Sequence, residues 1–146
     1  MLRRGAVVVE RTRIVVADDN GIYREQLGRF VSSHPDMEVV GYASDGAEAV
    51  CMASLLHPHL VLMDLCMPGI DGFDATGMVT SAHEDVKVIA LTAHRSPESE
   101  ARCLEAGAAA FIRKADVDDR LVAIIRSLRA QGGSAGATEE TTPSDI

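Results

Sequence analysis

No tryptophan occurs in the 146 residues, and aromatic residues make up only 3% of a chain that is 47% hydrophobic. A core must therefore be assembled from Val, Ile, Leu, Ala and Met, which suits layered α/β packing better than a small β-sandwich. One domain of this length can bury such a core without disulfides or a structural metal. Lysine is nearly missing as well, since Lys87 and Lys114 are the only two. With 22 acidic residues against 14 Lys and Arg and a formal charge of -8, the chain has no basic face to grip a nucleic-acid backbone. Cys51, Cys66 and Cys103 are scattered, with no C-x-x-C pair. That excludes a disulfide framework or a cysteine zinc site and predicts reduced thiols in a cytoplasmic protein. Long apolar runs are also lacking: Ala6 to Val9 is far too short for a signal-peptide core or a membrane span. No membrane association is expected.

What is present is a repeating alternation. Ile14-Val15-Val16-Ala17 is an apolar run that breaks into Asp18-Asp19-Asn20-Gly21, as expected of a strand buried on both faces and the loop after it. Tyr23, Leu27, Phe30 and Val31 recur at helical spacing until His34-Pro35. Met37 to Tyr42 is a second strand, and Asp45 with Glu48 resembles the start of a helix running to about His57. Leu60 to Asp64 is a third strand, followed by the Met67-Pro68-Gly69 turn and a helix capped by Asp71. Val86 to Thr92 is a fourth strand. Ser96 and Pro97 open a helix that Gly107 closes. Ala109 to Ile112 is a fifth strand, and Asp116 caps a last helix with Val117, Leu121, Ile124, Ile125 and Leu128 on one stripe. Met52, Met63, Met67 and Met78 are expected to fill the core. His57 and His59 flank Pro58 in what the pattern predicts to be a solvated turn. Residues 1–12 form an N-terminal extension, 13–130 one domain, and 131–146 a flexible tail or linker.

Five β-α units in alternation predict a parallel five-stranded, doubly wound α/β sheet with helices on both faces. Such sheets carry their ligand sites at the carboxyl ends of the strands. Here those ends hold Asp18 and Asp19, Asp64, Thr92 and Lys114: three carboxylates, a hydroxyl and an ammonium. Carboxylates crowded together need a cation, and Mg2+ suits hard oxygen ligands that also meet a phosphate. A carboxylate can accept a phosphoryl group. Metal, ammonium and hydroxyl would then each face one oxygen of that group, and phosphoryl transfer asks little more of a protein than this.

The motifs V-V-A-D-D, L-V-L-M-D-L-C-M-P-G-I-D-G, V-I-A-L-T-A and G-A-A-A-F-I-R-K, in this order, resemble the receiver domain of two-component response regulators, the CheY-like family. The resemblance covers about Arg13 to Arg129 and is greatest toward receivers that precede a NarL/LuxR-type helix-turn-helix. It implies a flavodoxin-like sheet of strand order 2-1-3-4-5, with Asp64 as phospho-acceptor. It further implies Mg2+ held by Asp19, Asp64 and the backbone carbonyl of Cys66, with Asp18 reaching the metal through water. Thr92 matches the hydroxyl that moves toward the phosphoryl oxygen, Phe111 the aromatic switch, and Lys114 the phosphate-binding lysine. The chain departs from the family where Ala115 follows Lys114, a place where many receivers have proline. Cys66 and His94 stand at positions that vary in the family and influence phosphoryl lifetime.

The implied function is a phosphorelay switch, not an enzyme: a sensor histidine kinase or histidine phosphotransfer protein donates to Asp64. The chain promotes only its own phosphorylation and dephosphorylation. The face formed by strand four, helix four and strand five then controls a downstream partner or an output domain outside this chain, and phosphorylation-dependent homodimerisation is a further expectation. The alternative is a phosphorylation-independent adaptor with a receiver fold. A flavin- or nucleotide-binding module is disfavoured, because Asp18-Asp19-Asn20 stands where a phosphate-cradling loop would be Gly-, Ser- or Thr-rich.

Overall fold

The computed structural model describes residues 10–133. Five strands alternate with five helices: β1 (Thr12–Ala17), α1 (Gly21–Ser32), β2 (Met37–Ala43), α2 (Gly46–Leu56), β3 (Leu60–Asp64), α3 (Gly72–Ala82), β4 (Lys87–Thr92), α4 (Pro97–Glu105), β5 (Ala110–Arg113) and α5 (Val117–Gly133). All strand pairs are parallel, in the order β2-β1-β3-β4-β5. The expected doubly wound sheet and its strand order are therefore observed.

Side chains of one strand alternate between the two faces, so each central strand feeds two cores. Ile14 and Val16 pack with Leu62, Ile89 and Leu91 against Leu27 and Val31 of α1 and Leu121 and Ile125 of α5. Val15 and Ala17 pack with Val61, Met63 and Val88 against Ala49 and Ala53 of α2 and Ala75 and Val79 of α3. Small residues dominate the α2 and α3 contacts, which lets those helices lie close to the sheet. β3 is buried at every position. Each fully buried aliphatic side chain contributes roughly 1.5 to 3 kcal/mol, which is why the middle of the sheet is the stable platform for what stands at its edge.

The helix starts follow the local chemistry. Asn20, Asp45, Asp71 and Ser96 accept backbone N–H bonds at the first turns of α1 to α4. The Glu48 carboxylate reaches back to the Ser44 N–H (2.7 Å), one residue before the Asp45 cap. Gly107 ends the α4 turn with φ +102°, and a Cβ there would press to 2.6 Å from Thr80 Oγ1. Both facts call for glycine.

Four expectations need correction. Asp116 does not open α5 as a free cap: Lys114–Asp116 form a 3-10 turn, and the Asp116 carboxylate is taken by Arg113 Nε at 3.0 Å. The last helix continues three residues past Ala130, to Gly133. Met78 is half exposed on α3 and fills no core. His59 is a structural residue: its Nδ1 accepts the Arg13 N–H (2.9 Å), and its own N–H donates to the Arg13 carbonyl (2.9 Å), tying β1 to the start of β3. The expected segments before residue 10 and after residue 133 lie outside the described residues.

The His59 contact has a pH signature. Burial, then the Arg129 charge, lowers its pKa below the usual imidazole value. A depressed histidine contributes stability above the unfolded pKa, near 6.5, and that contribution is lost as pH falls through the folded value. Urea unfolding of wild type should weaken between pH 7.5 and 5.5, and His59→Gln should flatten part of that slope. An identical slope in both proteins would refute the assignment.

Candidate functional site

Parallel strands bring their carboxyl ends to one edge, and the register sets which residues meet there. Ala17 pairs with Met63, so Asp18 emerges beside Asp64, the last residue of β3. Asp64 pairs with Leu91, which puts Thr92 one step beyond it on β4. Thr92 pairs with Arg113, and Lys114 follows directly. The strands thus deliver Asp18, Asp64, Thr92 and Lys114 to one edge, with Asp19 adjoining.

Carboxylate oxygens of Asp18, Asp19 and Asp64 lie within 4.8 Å of one another, an arrangement that can hold a metal ion. Asp18 and Asp64 are buried and Asp19 is exposed. The two oxygens of Asp18 are both engaged: Oδ1 accepts the Asn20 N–H (2.8 Å) and Oδ2 the Lys114 ammonium (2.8 Å). Lys114 Nζ also stands 3.4 Å from Asp64 Oδ1. Two buried carboxylates thus share one ammonium, with the third carboxylate, Asp19, beside them.

The charges register this imbalance. Burial, and next the Asp18 carboxylate, raises the pKa of Asp64, with the Lys114 charge and the Cys66 amide pulling the other way. Burial alone would lower the Lys114 ammonium, but the hydrogen bond it donates to Asp18 and the Asp64 charge outweigh it and its pKa rises.

Thr92 is buried at the edge, and its hydroxyl is committed to its own loop. It donates to the His94 carbonyl (2.6 Å) and accepts the His94 N–H (3.2 Å). Phe111 is away from the carboxylates, packed inward with Leu65, Ala90, Cys103 and Ala108. The Arg95 guanidinium stands 5.8 Å from the Phe111 ring centroid and is itself paired with Glu100 (3.0 Å). Cys66 is exposed, one residue past the buried Leu65.

Two contacts were not foreseen from the sequence, and both come from the first turns of α1. The Tyr23 ring lies 4.4 Å from Lys114 Nζ, and Arg24 Nη1 donates to the Asp18 carbonyl (2.8 Å). Helical side chains lean toward the N-terminus of their helix, so residues here lie over the acidic loop that precedes it. That rule was the available signal. Gly72 completes the edge: as first residue of α3 it donates its N–H to the Leu65 carbonyl (3.2 Å), and a Cβ at this position would overlap the Asp64 carbonyl oxygen.

Comparison with known proteins shows the family to which this fold belongs. Residues 14–126 match the family model of the response regulator receiver domain. The chain is 36% identical over 115 residues to the transcriptional regulatory protein LiaR of Bacillus subtilis (strain 168), covering 79% of this chain and 54% of that protein. It is 35% identical over 115 residues to the response regulator UvrY of Escherichia coli (strain K12), covering 79% and 53%. It therefore spans about half the length of these relatives. Among solved structures, the signal receiver domain of the putative response regulator NarL from Mycobacterium tuberculosis aligns with TM-score 0.74 and 32% identity, over 85% of this chain and 98% of that one. The response regulator domain of Thermotoga maritima CheB aligns with TM-score 0.74 and 28% identity, over 85% and 98%. With its 2-1-3-4-5 sheet and the acidic edge beside Lys114, the chain belongs to the response regulator receiver domain family of two-component signal transduction.

Proposed function

We propose that Asp64 is the phospho-acceptor of a receiver spanning residues 13–130, and that its phosphorylation switches the β4-α4-β5 face. One observation carries this: a buried carboxylate at the end of β3 has an ammonium 3.4 Å away and two further carboxylates within 4.8 Å. A surface carboxylate would have no need of such company. The donor is the phosphohistidine of a sensor histidine kinase or histidine phosphotransfer protein. Asp64 Oδ attacks phosphorus, the P–N bond breaks, and the leaving imidazole nitrogen takes a proton from water.

The oxygen-rich donor set fits Mg2+, held by Asp19, Asp64 and the Cys66 backbone carbonyl, with Asp18 acting through water. Bound there, the ion supplies positive charge for the carboxylates and the incoming phosphoryl oxygens. Asp18 suits an indirect role because both its oxygens already accept hydrogen bonds. Lys114 neutralises a phosphoryl oxygen as a compact point charge. Thr92 gives up the His94 carbonyl and donates to a phosphoryl oxygen instead.

Loss of the Thr92 bond to His94 releases the loop that carries Arg95, and Arg95 covers the Phe111 ring. Phe111 is the switch residue in this scheme, biased between two packings by the state of Thr92. The readout is a downstream protein, an output domain of the kind that makes the relatives longer, or a second phosphorylated copy of the chain. Phosphohistidine made from ATP places the exchange in the cytoplasm.

Incubation with acetyl phosphate and Mg2+ should add one phosphoryl group by intact mass, and Asp64→Asn should add none. Incorporation that survives in Asp64→Asn, or no incorporation in wild type, overturns the assignment.

A further inference from the structure

We infer that Tyr23 is a positioning residue for the Lys114 ammonium, acting through the face of its ring and not through its hydroxyl. A lysine head group is a point charge on a flexible four-carbon stem, so its place is set by what surrounds it. Three groups surround this one: Asp18 Oδ2 at 2.8 Å, Asp64 Oδ1 at 3.4 Å, and the Tyr23 ring centroid at 4.4 Å. The face of an aromatic ring is electron-rich and attracts a cation within about 6 Å.

The three partners are not equivalent once a phosphoryl group arrives. Asp64 then carries the phosphoryl group, and the Asp18 carboxylate competes with the phosphoryl oxygens for the ammonium. The ring carries no formal charge and competes with nothing. It can hold the ammonium at the mouth of the site while the ammonium turns from a carboxylate to the phosphoryl oxygen.

The ring is itself immobilised. Tyr23 packs against the core on the α1 side, and Leu27, Phe30 and Val117 line the same hollow between α1 and α5. Its hydroxyl is buried and has no hydrogen-bond partner among the described residues. A phenol working as acid, base or donor would not be left so. The aromatic face is what the site uses, and phenylalanine should serve equally well.

The kinetic consequence rests on Asp64 being the phospho-acceptor, whereas the ring contact itself does not. Ring current should move the Lys114 Cε methylene protons upfield relative to those of the exposed Lys87 in metal-free protein. Tyr23→Phe should keep that shift and Tyr23→Leu should abolish it. Tyr23→Leu should also lower the rate of phosphorylation by acetyl phosphate and the affinity for beryllofluoride about three- to tenfold, with Tyr23→Phe matching wild type. Unshifted Lys114 resonances in wild type, or a shift that persists in Tyr23→Leu, would overturn the inference. So would a Tyr23→Phe protein as slow as Tyr23→Leu. If wild type takes up no phosphoryl group at all, the Asp64 assignment fails and the resonance comparison still decides the role of Tyr23.

Discussion

Gly72→Ala should lower the free energy of unfolding by about 3 kcal/mol and slow phosphoryl uptake together, because the added methyl has only backbone to displace. Its Cβ would overlap the Asp64 carbonyl oxygen and lie 2.5 Å from Leu65 Cα. Neither atom belongs to a side chain that can swing away. α3 must retreat, and the turn between Leu65 and Asp71 must retreat with it, which shifts the Asp64 carboxylate away from Lys114. Two other glycines calibrate the effect. A Cβ on Gly28 would first meet the ring and hydroxyl end of Tyr42, a movable side chain, and a Cβ on Gly77 would meet nothing within 4 Å. Gly77→Ala should instead stabilise α3 by up to about 1 kcal/mol through helix propensity. Urea titrations of the three variants, with acetyl phosphate kinetics on Gly72→Ala, decide the matter. A Gly72→Ala protein as stable as Gly77→Ala would show that the close approach is illusory.

Asp64→Asn should produce the opposite result on stability while abolishing phosphorylation. The Asp64 pKa is raised by burial and by Asp18. A carboxyl with a raised folded pKa contributes stability below its unfolded pKa, and this is lost as pH rises through the folded value. At neutral pH the ionised group is therefore a standing expense to the fold. Removing that charge leaves the Lys114 ammonium paired with Asp18 at 2.8 Å. Metal-free Asp64→Asn should be more stable than wild type by about 1 to 2 kcal/mol, as when other functional sites are relieved of strain. Mg2+ should then reverse the order, since binding to the native state stabilises wild type and has lost a ligand in the variant. Unfolding curves with EDTA and with Mg2+ check this. If the two proteins keep the same order in both buffers, the carboxylate cluster does not work as a metal site.

Most of the acidic edge was legible because a parallel sheet converts sequence order into spatial order. Once Ile14 to Ala17, Leu60 to Asp64, Val86 to Thr92 and Ala109 to Ile112 are recognised as strands, the residues at and just past their carboxyl ends must meet. Asp18, Asp64 and Lys114 do meet. Contacts that depend on side-chain direction were less accessible. Tyr23 keeps helical spacing with Leu27, and nothing in that periodicity says its ring turns toward Lys114. Arg113 taking the Asp116 carboxylate is a similar case, since a cap and an ion pair draw on the same residue type. His59 escapes the sequence pattern because the turn around Pro58 looks solvated, while its imidazole is drawn in to finish the hydrogen bonds of β1. The resting bond between Thr92 and the His94 carbonyl lies between residues two apart, below what strand and helix patterns resolve.

The last turns of α5 return to the amino ends of the strands. Arg126 holds Asp36 through two hydrogen bonds of 3.0 Å, and Arg129 donates to Thr12 Oγ1 at 3.2 Å. From Thr12 along β1 to Asp18 the backbone then spans roughly 20 Å to the acidic edge, at about 3.3 Å per residue. Mobile ions screen exposed charges beyond about 8 Å at physiological ionic strength. The charges of Arg126 and Arg129 therefore lie out of electrical earshot of Asp64, and any change at this end of α5 must reach the acidic edge as displacement of close-packed matter.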